Sequence, residues 1–359
     1  MSEWSRSTWA FPADAVVVDR TETGVLGAGA YGEVRVARWS GSLVAAKQLH
    51  AFNPDAVTQP GEYDPDALIR EMSVLSQLRH PNLVLFLGVT FDPATNVPCS
   101  ILTELLPHSL YDLLEVQRIS FDEAEVLGLA VDVCQALVYL HGRDPPVVHR
   151  DLSARNVLLD LQGRAKLADL GQAKVLGGHG HSHSNSASSS NQHSSMPGAM
   201  AYAAPEVLTG RYSSPIDMFS FGVLLAQIAS GEYPRIDRRG AQLDAAAAAV
   251  PSIKPLLGSC VKLHPEDRPT AEGAVHELEI LQAATAKHAA SAHGVVRTHA
   301  HGGGILAERW FRSELVRVNE DMEARLTTAE ARLAAELGRW RTEADARDAA
   351  DAKVDGLIR

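Results

Sequence analysis

Hydrophobic and polar positions change their period partway along the chain. Early on, apolar residues are β-branched or alternate with polar ones in Val16-Val17-Val18, Glu33–Trp39 and Ser42–Leu49, separated by turns that contain glycine. A period of two predicts strands there. Over Asp66–Leu78 the residues Leu68, Met72, Leu75 and Leu78 follow 3–4 spacing, which predicts a helix. Leu83–Thr90 and Ser100–Thr103 predict further strands. From about Ser109 onward helical patterns dominate. Leu127–Leu140 and Ile216–Ser230 are apolar nearly all round, as buried helices are. The reading is an α+β chain, a small β-rich part followed by a larger helical one.

Two stretches break the pattern. Gly177–Met196 holds eight serines and four histidines in twenty residues and almost nothing apolar. Such a segment buries too little surface to offset its ordering entropy, so it predicts a long surface loop. His179, His181 and His183 carry metal-ligating side chains, but compositional bias is the preferred explanation for histidines alternating in a Ser/Gly tract. Ala284–Gly304, rich in Ala, His and Gly, predicts a linker. Beyond it, Phe311, Leu315, Val318, Met322, Leu326, Ala329, Leu333, Leu337, Trp340 and Ala344 recur with a mean step of 3.67 residues. That period predicts a long amphipathic helix, straight or slightly right-handed if it pairs as a coiled coil.

Composition narrows the classes. The chain has 359 residues, 45% of them hydrophobic and 21% charged, enough for a sizeable core. A net charge of −11 argues against non-specific nucleic-acid binding. The three cysteines, Cys99, Cys134 and Cys260, lie far apart and form no CxxC pair, which argues against a disulfide framework or zinc site and for a reducing compartment. Met1–Arg20 lacks the pattern of a secretory signal, and no uninterrupted apolar run reaches the ~18 residues of a membrane span. A cytoplasmic location is the resulting expectation.

Candidate chemistry begins at Gly27-Ala28-Gly29-Ala30-Tyr31-Gly32-Glu33-Val34, which matches G-x-G-x-x-G-x-V. A glycine cluster alone is a weak signal. In a dinucleotide site it would open a helix, whereas here a strand pattern follows, so the loop joins two strands. Backbone without Cβ can approach phosphates closely. Thirteen residues after Val34 stands Lys47, inside the strand pattern, and Glu71 in the Asp66–Leu78 helix is a candidate partner for its ammonium.

Further on, His149-Arg150-Asp151-Leu152-Ser153-Ala154-Arg155-Asn156 resembles the H-R-D-L-x-x-x-N catalytic loop of protein kinases. Asp169-Leu170-Gly171 resembles D-F-G, and Ala204-Pro205-Glu206 matches A-P-E. Asp217 to Gly222 and Arg268-Pro269 continue the resemblance. Motifs in this order identify the chain as similar to the eukaryotic protein kinase superfamily, and most like its tyrosine-kinase-like group of serine/threonine kinases.

The resemblance implies a bilobal fold: a small antiparallel β-sheet lobe with one helix, then a mainly helical lobe, to which this sequence adds a long C-terminal helix. The implied divisions are an N-terminal extension over 1–20 and a kinase domain over 21–283, with lobes 21–103 and 104–283. An activation segment over 169–206 carries the Ser/His-rich insertion. A linker over 284–304 and an amphipathic helix over 305–359 follow. The implied activity transfers the γ-phosphoryl group of ATP to a Ser or Thr hydroxyl of a protein substrate, with Tyr not excluded.

By the same resemblance Asp151, Lys47, Glu71 and Arg155 are catalytic residues. Asn156 and Asp169 hold Mg²⁺. Gly27, Ala28, Gly29, Gly32 and Lys47 meet the phosphates. Thr103 is the gatekeeper, Glu104 to Leu106 the hinge, and Val34, Ala45 and Leu158 sandwich adenine. Arg150 would receive a phosphate carried by the serines of the insertion.

Three departures bear on specificity. Leu170 replaces Phe and keeps the bulk. Ser153 replaces a lysine usual in Ser/Thr kinases, and Ala154-Arg155 resembles the tyrosine-kinase form of the loop. Ala199 replaces a threonine of the G-T-x-x-[WY]-x-A-P-E pattern. The competing reading is a pseudokinase scaffold acting through its C-terminal helix, which would also mediate homo- or hetero-oligomers.

Overall fold

The computed structural model describes residues 8–21, 24–29, 32–49, 76–92, 95, 97–170, 173–176, 200–209, 213–292, 324 and 327. The chain forms two compact units: Met1–Pro65, Leu87–Leu105 and Val316–Arg359 in the first, Asp66–Phe86 and Leu106–Leu315 in the second.

The first unit is built on a seven-stranded sheet: β1 (Ala10–Pro12), β2 (Val16–Val18), β3 (Val25–Gly29), β4 (Gly32–Trp39), β5 (Ser42–Leu49), β6 (Phe86–Phe91) and β7 (Pro98–Glu104). Their spatial order is β1-β6-β7-β5-β4-β2, with β3 also pairing with β4. β4 and β5 form a tight hairpin across Ser40 and Gly41, at φ 49° and 82°. Positive φ at both central residues is what a type I′ turn requires, and its twist matches that of the strands it joins.

One face of this sheet is the apolar core. Val16, Ala37, Val44, Ala46 and Leu102 are buried together, with Phe11, Val18, Trp39 and Leu87 packed against them. Phe11 lies 4.7 Å from Trp39, centroid to centroid. β1 runs parallel to β6, pairing Ala10 with Val89 and Pro12 with Phe91. Gly88 makes this approach feasible, because a Cβ there would strike the Phe11 ring and the Trp9 carbonyl. Thus part of the stretch read as an extension, residues 10–12 and 16–18, contributes strands to the sheet.

The second unit is helical: α1 (Glu123–His141), α2 (Pro215–Ser230), α3 (Arg239–Ala249), α4 (Lys254–Cys260) and α5 (Ala271–Ala292). α1 starts with a capping box. Asp122 Oδ1 accepts from Glu125 N, and Asp122 N donates to Glu125 Oε2, both at 2.9 Å. α1 is long and apolar enough to cross a membrane, but its buried residues pack against α5, α2 and a short strand, as a core helix does. α2 opens with Pro215 at its first turn and ends at Gly231, φ 70°, whose N–H donates to Gln227 O at 2.8 Å. Gly222 lets α2 meet α4, since a Cβ there would lie 2.6 Å from that of Cys260.

Short ladders complete this unit. β8 (His108–Ser109), β10 (Val157–Leu159) and β11 (Ala165–Leu167) form one, β9 (Val147–Val148) and β12 (Lys174–Val175) the other. α5 runs to Ala292, into the stretch read as a linker from Ala284. Alanine is the strongest helix former, and glycine enters only at Gly294.

Of the helix read at Asp66–Leu78, only the last three residues are described, and Ser76 and Gln77 form a turn. Glu71, the insertion Gly177–Met196, and all of 305–359 except Ala324 and Thr327 lie outside the described residues.

Candidate functional site

In the first unit, strand register decides which side chains share a face. Directly paired residues point the same way, and alternate residues along a strand do too. Gly27 pairs with Val34, Val34 with Lys47, and Lys47 with Ile101. The neighbouring row runs from Val36 to Ala45 to Thr103. Gly27, Val34, Lys47, Ala45 and Thr103 therefore lie in two adjacent rows on the face opposite the Val44–Ala46–Leu102 core. Val36, buried on this face, packs with Leu43 and Leu105. Lys47 is half-buried.

In the second unit the residues His149–Asn156, which the sequence resemblance marks as a catalytic loop, follow β9 and lead into β10. Here the chain is held by polar side chains. Asp217 in α2, 1% exposed, accepts from His149 N at 2.8 Å and from Arg150 N at 2.9 Å. His141 Nε2 lies 2.8 Å from the same carboxylate. Arg150 has φ 70° and Asp169 φ 56°. Each such backbone costs about 1–3 kcal/mol for a non-glycine residue, so it persists only where surrounding bonds dictate it. For Arg150 the Asp217 carboxylate supplies such a bond.

His149 is fully buried and links two loops. Its Nδ1 accepts from Asp151 N at 3.2 Å. Nε2 of the neutral ring therefore carries the proton, and it donates to Ala168 O at 2.9 Å. Ala168 N in turn donates to Asn156 O at 2.7 Å. The residue before Asp169 is thus tied to both ends of the catalytic loop.

Asn156 and Asp151 meet directly. The amide Nδ2 of Asn156 donates to Asp151 O at 2.6 Å and to Asp151 Oδ2 at 2.9 Å. With its nitrogen so engaged, Asn156 presents Oδ1 as its remaining polar atom. An amide oxygen and the Asp169 carboxylate, one residue beyond Ala168, are both hard oxygen ligands of the kind that suits a divalent cation. The residues present therefore fit a metal. The half-buried Asp151 carboxylate is an acceptor for a proton from a hydroxyl.

Other expected residues fall as follows. Leu158 in β10, Glu104 in β7 and Leu106 are half-buried. Arg155 is exposed, with Cζ 3.5 Å from the centre of the Tyr111 ring. Only the backbone of Ala28, Gly29 and Gly32 is described, at the β3–β4 turn where Gly29 pairs with Gly32. The Glu71 partner proposed for Lys47 lies outside the described residues.

Several positioning residues have roles that the sequence motifs do not reveal. Asp217 has a structural role that its motif alone does not reveal, and His141 belongs to no motif. Asp132 in α1 is another: 2% exposed, it accepts from Ala165 N at 2.9 Å and binds the Arg164 guanidinium. Asn82 donates to Ala165 O at 2.9 Å and accepts from Leu167 N at 2.8 Å. Glu206 forms a bidentate pair with Arg268, whose side chain is fully buried and also donates to the carbonyls of Lys262, Pro215 and Leu263. The available signal is a lone carboxylate inside an apolar helix, since a buried charge needs partners.

A family profile described as the protein kinase domain matches residues 20–278. The chain is 36% identical over 227 residues to the serine/threonine-protein kinase CTR1 of Arabidopsis thaliana, covering 62% of this chain and 25% of that one. It is 32% identical over 270 residues to the serine/threonine-protein kinase TNNI3K of Mus musculus, covering 71% and 30%. It is 33% identical over 267 residues to the seven transmembrane domain-containing tyrosine-protein kinase 1 of Dictyostelium discoideum, covering 68% and 36%. The chain thus spans between a quarter and just over a third of the length of these relatives.

Proposed function

We propose, from the premise that this chain belongs to the protein kinase family, that it transfers the γ-phosphoryl group of ATP to serine or threonine hydroxyls of protein substrates. Its resemblance to CTR1 and TNNI3K, serine/threonine kinases by name, supports that acceptor and the tyrosine-kinase-like grouping. The observation that supports the reading is the bonded set of Asp151, Asn156, His149 and Ala168, which ties the proposed base and the proposed cation ligand Asn156 to the residue before Asp169.

The family implies ATP and a divalent metal, and we take the metal to be Mg²⁺, held by Asn156 Oδ1 and the Asp169 carboxylate. That cation would neutralise charge on the phosphates. Lys47 contributes its ammonium to the same phosphates, and the glycine loop at Gly27, Ala28, Gly29 and Gly32 offers backbone N–H groups. Val34, Ala45 and Leu158 supply apolar surface to adenine, Thr103 limits its depth, and Glu104 to Leu106 offer backbone polar groups. Glu71 is proposed as the partner that orients Lys47.

Asp151 receives the proton of the substrate hydroxyl as that oxygen bonds to the γ-phosphorus. The bond from phosphorus to the bridging oxygen breaks, and ADP leaves. Asn156 Nδ2, bonded to Asp151 Oδ2, holds the carboxylate in its working orientation. Arg155 sits one residue before Asn156 and completes the proposed catalytic set.

Asp151→Asn should lower kcat by about 10²–10⁴-fold while leaving nucleotide affinity near wild type. A variant with wild-type turnover in a radiolabelled-ATP transfer assay would remove Asp151 from this role. Three free cysteines support a reducing, cytoplasmic setting. Assembly through 305–359 is a further proposal: deleting that stretch should lower the mass measured by light scattering to that of a monomer.

A further inference from the structure

Within the loop His149–Asn156 stands an arginine, Arg155, whose surroundings differ from those of the structural arginines in its unit. Arg268 is enclosed by Glu206 and three carbonyls, and Arg164 is clamped by Asp132. Arg155 has neither kind of partner. It is exposed, and no carboxylate pairs with it among the described residues.

The nearby acids are already engaged. Glu115 Oε1 accepts from Gln227 Nε2 at 3.0 Å, and Glu115 Oε2 faces Arg118 at 3.3 Å. Asp112 Oδ2 accepts from Ser109 Oγ at 2.7 Å and Ser109 N at 3.1 Å. Gln227 is committed on its other side, its Oε1 accepting from the Tyr202 hydroxyl at 2.5 Å.

What holds Arg155 is aromatic. Its guanidinium carbon stands 3.5 Å from the centre of the Tyr111 ring. Tyr111 is braced edge-on by Tyr233, 6.3 Å away at 86° between planes. A guanidinium resting on a ring keeps its N–H donors directed around its edge, which matches the fork of a carboxylate or phosphate. Stacking also removes part of the rotamer entropy that an exposed arginine would lose on binding an anion.

The position is adjacent to the chemistry. Arg155 precedes Asn156, whose amide bonds to Asp151. An extended peptide advances ~3.3 Å per residue, so a residue within a few positions of an acceptor hydroxyl at Asp151 comes within reach of a long side chain at 155. We infer that Arg155, preset on the Tyr111–Tyr233 pair, is a specificity-determining residue that selects protein substrates carrying an anionic side chain close to the acceptor serine or threonine. This rests on the kinase reading above and deepens it by naming the substrate class. The shared ligand chemistry is an oxyanion, supplied by aspartate or glutamate or by a phosphoserine.

The test compares kcat/KM of the full chain on matched peptides. One acceptor serine is flanked at each nearby position in turn by alanine, aspartate, phosphoserine or lysine. The wild type should favour an anionic residue at one position by about tenfold over alanine, mainly through KM, with lysine worst. The aspartate and phosphoserine arms identify the source of the anion by which gives the larger ratio.

Within each variant the ratio of anionic to alanine peptide is read, so overall activity drops out. Arg155→Met should bring that ratio to about one, and Arg155→Glu should invert it in favour of lysine. Tyr111→Leu, which removes the ring, should reduce the ratio, while Tyr111→Phe should keep it. An undiminished anion preference in Arg155→Met, or a wild type indifferent to flanking charge, would overturn the inference and leave the kinase reading standing. Failure of the wild type to phosphorylate any peptide would overturn both.

Discussion

The sheet unit and the helical unit solve the same problem differently: each must present a charged group at a fixed place. In the sheet unit the register of the strands gives Lys47 its face. Its pairing with Val34 and Ile101, and the alternation with buried Val44 and Ala46, leave it one face to occupy. In the helical unit Asp151 and Asp169 sit on loops, where no ladder sets direction. There a buried carboxylate, Asp217, and a buried ring, His149, do the aiming, against left-handed backbone at Arg150 and Asp169. Regular structure assigns a side chain its face through the ladder itself. Irregular structure needs buried polar groups for that, and so ties function to stability.

Substitutions can break that contrast. Asp217→Ala strips acceptors from one buried and one part-buried backbone N–H group and from His141. It should lower stability by about 3–5 kcal/mol and abolish measurable transfer, as followed by urea unfolding and the transfer assay. Lys47→Met should lower kcat/KM by about 10²-fold or more yet change stability by less than about 1 kcal/mol. If Lys47→Met unfolded the protein as Asp217→Ala does, the distinction between register and network would fail.

Within the sheet unit, Gly88→Ala drives a methyl into Phe11 and the Trp9 carbonyl. It should cost about 1–3 kcal/mol and speed hydrogen exchange at Val89, whose N–H donates to Trp9 O at 2.8 Å. The smallest effect concerns the cysteines. Burial pushes the Cys260 thiol up to about 12 and raises the Cys134 thiol as well. At pH 8 the native protein should therefore alkylate first at half-buried Cys99 in the sheet unit, with Cys134 and Cys260 labelled only on unfolding. Mass spectrometry of labelled peptides reads this order.

The same contrast explains what is legible in the sequence. The strands at Val16–Val18, Glu33–Trp39 and Ser42–Leu49 follow from period two, and the structure has them at nearly those bounds. Because faces follow from period, the co-facial placement of Val34, Ala45 and Lys47 is readable too. α1 and α2 are legible as buried helices from their continuous apolar composition. The support of the catalytic loop is not. Asp217 and His141 lie 76 residues apart in sequence yet meet at 2.8 Å, and no local period encodes that meeting. β1 also escapes the pattern, because three residues with a proline are too short for alternation to register. The end of α5 is misplaced by composition, which makes an Ala/His stretch resemble a linker.

The parallel strand at Ala10–Pro12 has a practical bearing. The family profile begins at residue 20, so a fragment trimmed to it would discard both β1 and β2. β6 and the Ala37–Trp39 end of β4 would then become open margins with unsatisfied N–H and C=O groups, and Phe11 would no longer cover Trp39. Such margins recruit strands from other molecules. The recognisable pattern in this protein is therefore shorter than its folding unit, and the difference is measured in self-association.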